Sequence, residues 1–139
     1  MPIKKFEACA AGYTIHAEVT LIGKDLLIAV TGGDAPHIGT VTTTSRDCAS
    51  ETIRFNSHHG RFHKDDVLSE LILAQIKADL LGNCVITAGV HVDHITDEQI
   101  KASAGMATQL GNEILAWLRQ TDFSTPEVIY AHYNKVYEE

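Results

Sequence analysis

The most unusual segment of the chain is a cationic stretch at 56–64, NSHHGRFHK, which directly precedes a predicted helix. It holds three histidines, one arginine, one lysine and no acidic residue, in a chain whose formal net charge is −7. Free N–H groups at a helix start attract anions, the Arg61 guanidinium can fork onto a phosphate, and Lys64 adds a point charge. The pattern predicts a site for a phosphate-bearing ligand, with a solvated polar loop as the alternative. The candidate ligand-binding residues in this stretch are His58, His59, Arg61, His63 and Lys64.

A second candidate loop, TGGDAPHIG at 31–39, follows a predicted buried strand. Its adjacent glycines, Gly32 and Gly33, permit positive φ, and successive backbone N–H groups in such a turn can form an anion-binding nest. Gly39 leaves room beside the imidazole of His37. We therefore predict that Gly32, Gly33, His37 and Gly39 form one wall of a ligand site, with a plain hairpin turn as the alternative.

The histidines also raise the alternative of a metal-dependent enzyme. His58, His59 and His63 have usable separations, and His91 and His94 follow a predicted strand. Imidazole nitrogens suit zinc, iron or manganese. The sequence has no HExxH motif and no CxxC pair that would strengthen a metal site. It also lacks GxSxG, P-loop and GxGxxG signatures, so no arrangement for nucleophilic catalysis is evident.

Composition narrows the class of protein. The 139 residues are 45% hydrophobic and 21% charged, which is typical of one globular domain. The charge of −7 argues against nucleic-acid binding and against docking on anionic lipid, and no window has the apolar length of a membrane span. The three cysteines, Cys9, Cys48 and Cys84, are widely spaced, which favours a reducing, cytoplasmic compartment over a disulfide framework.

Hydrophobic periodicity predicts the elements that position the two loops. Strands are expected at 13–22, 26–31, 38–44, 84–90 and, more weakly, 51–55. Helices are expected from Asp65 or Asp66 to about Leu81, and from Thr96, in a capping box with Gln99, to about Arg119. The apolar stripes of the two helices are Val67, Leu68, Leu71, Ile72 and Ile76, then Ile100, Ala104, Ala107, Gly111, Ile114 and Leu118.

The expected fold is a single α+β domain over 1–139, with its core at about 12–120. A mixed, largely antiparallel sheet carries two main helices, in the order βββ(β)αβα, and short turns make the early strands pair antiparallel. Small residues at 102–111 indicate either tight packing within the chain or a subunit interface. The segment 126–139, after Pro126, could be a strand or a short helix.

The two loops, TGGDAPHIG at 31–39 and HHGRFHKDD at 58–66, together with CVITAGVHVD at 84–93, resemble the LpdD-like family. The likeness runs from about Gly12 to Gly111. It implies a fold similar to proteasome-assembly-chaperone domains, and a homodimer. It also implies a small accessory protein that binds prenylated FMN, or FMN, and delivers it to a UbiD-type decarboxylase subunit acting on hydroxylated aromatic acids.

Carried over to this sequence, the resemblance implies that Gly32, Gly33, His37 and Gly39 form the first wall of the cofactor site. The second wall would be His58, His59, Arg61 and His63. A cationic loop suits the roughly two negative charges of a flavin phosphate. A dimeric assembly factor that holds the decarboxylase without touching the cofactor is a further alternative.

Overall fold

The structure is a computed structural model that describes residues 2–56, 65–124 and 126–132. Six strands and two helices are assigned among these residues. The strands are β1 (Ile3–Ala10), β2 (Tyr13–Ile22), β3 (Asp25–Gly33), β4 (Thr40–Ser45), β5 (Cys48–Arg54) and β6 (Asn83–His91). The helices are α1 (Asp66–Ile76), which continues into a short 3-10 turn at Lys77–Asp79, and α2 (Asp97–Gln120).

The strands form one six-stranded sheet in the order β1-β2-β3-β6-β4-β5. Hairpins join β1 to β2, β2 to β3 and β4 to β5, so these pairs are antiparallel, as expected for the two pairs whose strands were predicted, β2–β3 and β4–β5. The expectation is wrong for β3 and β4, because β6 inserts between them, parallel to β3 and antiparallel to β4. The α+β class and the mixed, largely antiparallel sheet are therefore confirmed.

Both helices pack on one face of the sheet. Alternate residues of β2, β3 and β6 point toward them, and Ile15, Ile28 and Ile86 are fully buried there. α2 lies over β1 and β2, while α1 lies over β6 and β4. The strict period of two in β2 explains why its predicted bounds agree with the structure.

β1 has no counterpart in the sequence prediction. Its helix-facing side chains include Phe6, which packs edge-on against Trp117 of α2, and the buried Ala8. The turn to β2 uses positive φ at Ala11 and Gly12. Small alanines made this alternation a weak signal.

The capping box of α2 is confirmed, since Thr96 Oγ1 accepts from Gln99 N and Gln99 Oε1 accepts from Thr96 N. α1 is shorter than predicted and ends at Ile76. Two members of the predicted α2 stripe are wrong, because Ile100 and Ala104 are exposed. On α1, Val67 is also exposed.

Two of the small residues at 102–111, Ala107 and Gly111, pack within the chain. Gly111 lies against α1, where an added Cβ would come within 2.8 Å of Gln75 Cγ and 3.2 Å of Ile72 Cα. Ala107 is also fully buried, so neither residue is free to form the subunit interface considered from the sequence. The described residues 126–132 adopt neither a strand nor a helix. Neither described helix is both long enough and apolar enough to cross a membrane.

Candidate functional site

Four strands bring their ends together at one edge of the sheet. The parallel strands β3 and β6 end there, β5 also ends there, and β4 begins there. We call this the carboxyl edge, after the ends of β3 and β6. In sheets with neighbouring parallel strands, ligands often bind beyond such carboxyl ends.

The residues that flank the cationic stretch, Phe55 and Asp65, both form hydrogen bonds at the carboxyl edge. On one side, Phe55 N donates to Gly39 O at 2.9 Å, which holds the chain just after β5. On the other side, Asp65 Oδ1 accepts from Val90 N of β6 at 3.1 Å. The predicted site residues His58, His59, Arg61, His63 and Lys64 fall at 57–64, outside the described residues.

Residues 34–39 of the candidate loop at 31–39 cross over the end of β6. Asp34 N and Ala35 N both donate to His91 O, His37 N donates to Gly89 O, and Gly39 N donates to Ala88 O. These four N–H groups are therefore occupied. These backbone donors close the loop onto β6 and are not available to an anion, while the nest at Gly32-Gly33 itself stays a prediction.

Glycines at the carboxyl edge permit this close crossing. Gly33 has φ +74°, and an added Cβ would run into the carbonyl oxygen of His91. A Cβ on Gly89 would run into the carbonyl group of His37. Gly89 was not singled out from the sequence, although a glycine inside a buried strand signals a close backbone approach.

His37 lies between its own loop and the start of α1. Its Nδ1 donates to Ala35 O at 2.9 Å, since a carbonyl can only accept. Its Nε2 lies 3.8 Å from Asp65 Oδ2. The side chains of His37 and Asp65 are 31% and 11% exposed, so this contact is partly shielded from water.

Asp65 has a different role from the one predicted for it. The sequence favours it as a side-chain cap for α1, but the side chain makes no capping bond. It reaches Val90 N and faces His37, while its backbone oxygen accepts from Leu68 N. Asp65 thus joins α1, β6 and the candidate loop at 31–39. Its place just after a cationic segment was the available signal.

The neighbouring carboxylate, Asp66, is paired with Arg54 of β5. Arg54 donates from Nη2 at 2.6 Å and from Nε at 3.3 Å, and this hydrogen bonding raises the pKa of Arg54. Arg54 is consequently occupied at the carboxyl edge. A dianionic ligand there would need other cations.

The metal alternative finds no cluster in the parts of the chain that the structure describes, where no three of the histidine, cysteine, aspartate and glutamate residues come together. His91 Nε2 lies 2.9 Å from Asp93 Oδ1. His94 has φ +52° in the turn before α2. The other proposed ligands, His58, His59 and His63, lie outside the described residues, so the metal site on them stays a prediction.

Of the predicted binding residues, the structure places Gly32, Gly33, His37 and Gly39 together at the carboxyl edge. Comparisons with known proteins cover this whole region. The family model of the prenylated flavin chaperone LpdD-like domain matches residues 9–119. The chain is also 50% identical over 109 residues to Protein LpdD of Lactiplantibacillus plantarum, an alignment that covers 78% of this chain and 80% of that protein.

Proposed function

Because the chain belongs to the prenylated flavin chaperone LpdD-like family, we propose that it binds prenylated FMN through the phosphate and delivers the cofactor to a decarboxylase. The observation that carries this proposal is the convergence at the carboxyl edge. His37, the chain leaving β5 and the residue that starts α1 lie within hydrogen-bonding reach of the same strand ends.

The chemistry of the donors supports side chains as the phosphate ligands. A flavin phosphate carries roughly two negative charges at neutral pH, and the N–H groups of residues 34, 35, 37 and 39 are already bonded to β6. Arg54 is paired with Asp66. Between Phe55 and Asp65, whose bonds lie at this edge, the sequence offers the cations Arg61 and Lys64. His58, His59 and His63 belong to the same stretch.

In this proposal the chain is a cofactor carrier and catalyses no reaction itself. When bound, prenylated FMN supplies the decarboxylation chemistry in the partner enzyme. The cationic side chains of this chain bind the phosphate, and His37 is held facing Asp65. The cofactor is then released to the partner enzyme. A homodimer in the cytoplasm, with a UbiD-type decarboxylase subunit as its partner, completes the proposal.

Ligand titration tests the proposal directly. Under anaerobic conditions, reduced prenylated FMN and plain FMN are titrated into the protein, and fluorescence or calorimetry gives Kd. Arg61→Ala should weaken binding by about 1.5–3 kcal/mol, on the scale of a charged hydrogen bond. That free energy corresponds to roughly 10–150-fold in Kd.

Arg46→Ala is the matched control, since Arg46 lies in the β4–β5 turn at the opposite edge and pairs only loosely with Asp47, at 3.4 Å. Its Kd should stay within about twofold of wild type, because surface pairs contribute little. Failure of both flavins to bind at micromolar concentration would refute the carrier. An unchanged Kd in Arg61→Ala would move the phosphate site elsewhere.

The assembly-factor alternative makes a different prediction. A protein that holds the decarboxylase without touching the cofactor should still co-purify with that subunit after His37→Ala and Arg61→Ala are combined. It should also bind neither flavin before these changes are made. The two measurements together separate a cofactor carrier from a pure assembly factor.

A further inference from the structure

The C-terminal segment at 126–132, PEVIYAH, carries large apolar side chains that are exposed in the structure. Val128, Ile129 and Tyr130 are 67%, 93% and 81% exposed. Segments that stay unfolded are usually poor in β-branched and aromatic residues, whereas exposed apolar patches mark surfaces that bind something. The segment also lies outside residues 9–119, which the family model matches. Its composition therefore indicates a binding role separate from the carboxyl edge.

A groove with a volume of about 420 Å³ runs between α1 and the β4–β5 hairpin. Leu73 and Ala74 of α1, with Ala78 of the following 3-10 turn, form its apolar wall. Ser50 of β5 lies on the other side, and its Oγ donates to Glu70 Oε1 at 2.9 Å. This bond ties β5 to α1 at one end of the groove.

The other end of the groove is cationic. Lys77 Nζ donates to Thr44 Oγ1 at 3.2 Å and to the backbone oxygen of Cys48, which holds its charge in place. Arg46 also lines the groove and pairs loosely with the exposed Asp47, at 3.4 Å. Within the described chain, neither cation makes a close ion pair with a carboxylate, so this end of the groove can accept one.

The groove opens onto a free edge of the sheet. β5 is the last strand in the sheet order, and in the part of the chain that the structure describes no strand pairs with its outer side. The strand Cys48–Arg54 contains no proline, so its outward backbone groups can pair with another strand. An extended segment bound there would send alternate side chains into the groove, a mode of binding called β-augmentation.

The end of α2 lies beside this groove. Arg119 Nε donates to Asp79 Oδ2 at 3.0 Å, and Asp79 follows Lys77 by two positions. Glu127 follows Arg119 by eight positions, and an extended chain of that length spans up to about 26 Å. The 11 residues of α1 are about 16 Å long, so the segment at 126–132 can reach any point along the groove.

The spacing of the segment matches the groove. α1 starts at the carboxyl edge and runs away from it, so a strand that comes from the end of α2 meets Lys77 first and Leu73 next. The four helical residues between these two rise about 6 Å, and two strand residues rise about 6.6 Å. Glu127 can therefore lie beside Lys77 and Arg46. Ile129 then lies over Leu73.

From the exposed segment, the cationic end of the groove and the matching spacing, we propose that residues 126–132 dock in the groove of their own chain as a seventh strand along β5. The structure holds the undocked form. On docking, Glu127 pairs with Lys77 and Arg46, and Ile129 covers the apolar wall. Val128 and Tyr130 point away from the groove, because successive strand residues alternate.

The same chain is a better source of this strand than a separate partner. A short tether raises the effective concentration of the segment at the groove to the millimolar range. Docking covers the outer side of β5, which would otherwise stay open to other strands. It leaves the carboxyl edge accessible, so it does not depend on a bound flavin.

Amide hydrogen exchange, measured by nuclear magnetic resonance on the full chain, tests the docked strand. The outward amides of β5 should exchange at least about tenfold more slowly in wild type than in Ile129→Asp, because docking supplies their hydrogen-bond acceptors. Val128→Asp is the matched control, since it adds the same charge one residue away on the side that points from the groove. Its exchange rates should stay within about twofold of wild type.

Charge reversal tests the register. Glu127→Arg and Arg46→Glu should each speed the exchange of the outward β5 amides, and the two changes combined should slow it again relative to either alone. Both positions are exposed, so these variants do not threaten the core, and circular dichroism confirms that each is folded. A double variant that exchanges no more slowly than the single variants would contradict the placement of Glu127.

Equal exchange in wild type and folded Ile129→Asp would overturn the proposal. Equal effects of Val128→Asp and Ile129→Asp would also overturn it, because a docked strand distinguishes its two faces. Exchange that slows as the protein concentration rises from about 10 to about 200 μM would refute docking within one chain and identify a second copy as the occupant, since a tethered segment binds independently of concentration.

Discussion

Asp65 connects two parts of the carboxyl edge, because its side chain contacts both β6 and His37. Asp65→Ala removes the acceptor of the Val90 N–H bond at 3.1 Å and should cost about 1–3 kcal/mol of unfolding free energy. Asp65→Asn keeps an amide oxygen for Val90 and should cost less than Asp65→Ala. Urea denaturation measures both variants.

Asp47→Asn serves as the control for Asp65, since Asp47 is 81% exposed at the opposite edge. Its unfolding free energy should change by less than about 0.5 kcal/mol. Equal stability of Asp65→Ala and wild type would contradict the anchoring role. The nuclear magnetic resonance signals of the His37 ring should shift in both Asp65 variants and stay fixed in Asp47→Asn.

Replacing glycine by alanine should have opposite effects on stability at two positions. Gly89→Ala places a Cβ against the His37 carbonyl and should destabilise the protein by about 1–3 kcal/mol while displacing the loop at 34–39. Gly105→Ala meets nothing within 4 Å on α2, so it should stabilise the protein by roughly 0.8–1 kcal/mol. Thermal unfolding compares them, and a stable Gly89→Ala would contradict the close crossing.

For individual residues, the sequence indicated only part of the candidate site. The adjacent glycines with His37 and Gly39 singled out the loop at 31–39, which the structure places at the carboxyl edge, while its role in binding stays a prediction. Asp65 and Gly89 escaped notice because their roles depend on contacts with elements distant in the chain. The closing of the loop onto β6 escaped notice for the same reason, since the acceptors for the N–H groups of residues 34, 35, 37 and 39 belong to β6, about fifty residues later.

Among the elements, α2 has a capping box at its start that adds to the stability from its buried apolar residues. Thr96→Ala removes the acceptor of the Gln99 N–H bond at 3.2 Å and should cost about 1 kcal/mol of unfolding free energy. The effect extends beyond the helix, because Gln99 O accepts from Tyr13 OH and Gln99 Nε2 donates to Ala11 O. Thr96→Ser keeps the hydroxyl and should lie within about 0.5 kcal/mol of wild type in urea denaturation.

Local periodicity predicted strands and helices well and their partners less well. β2 and α2 carry strong alternation or caps, so their bounds were close to those observed. β1 was missed because alanines fill much of its helix-facing side. The insertion of β6 between β3 and β4 has no local signal, since a short link between two strands ordinarily predicts a hairpin.

On the scale of the whole molecule, the buried Cys84 reports the integrity of the core. Burial raises the pKa of the Cys84 thiol to about 12, and the side chain is 1% exposed. At pH 8, iodoacetamide should therefore modify the exposed Cys9 and Cys48 while Cys84 stays unmodified until the protein unfolds. Mass spectrometry counts the alkylated thiols with and without urea, and rapid modification of Cys84 in native buffer would contradict the fold.

The same thiol sets a direction for the dependence of stability on pH. Its pKa is higher in the folded protein than the ordinary value of 9.0, so the folded state retains a proton that the unfolded state releases. This contribution to stability is complete below about pH 9 and is lost as pH rises toward 12. Cys84→Ala should remove this part of the alkaline slope in urea denaturation.

Because β6 lies between β3 and β4, the sheet can be completed only late in synthesis. The units at 3–33 and 40–54 emerge from the ribosome before residues 83–91, and until then β3 and β4 each expose a backbone edge. At about 5–20 residues per second, the nascent chain carries both edges for a few seconds. Unpaired edges recruit other strands, so the arrival of one late strand both completes the sheet and ends the interval in which this protein is most prone to aggregate.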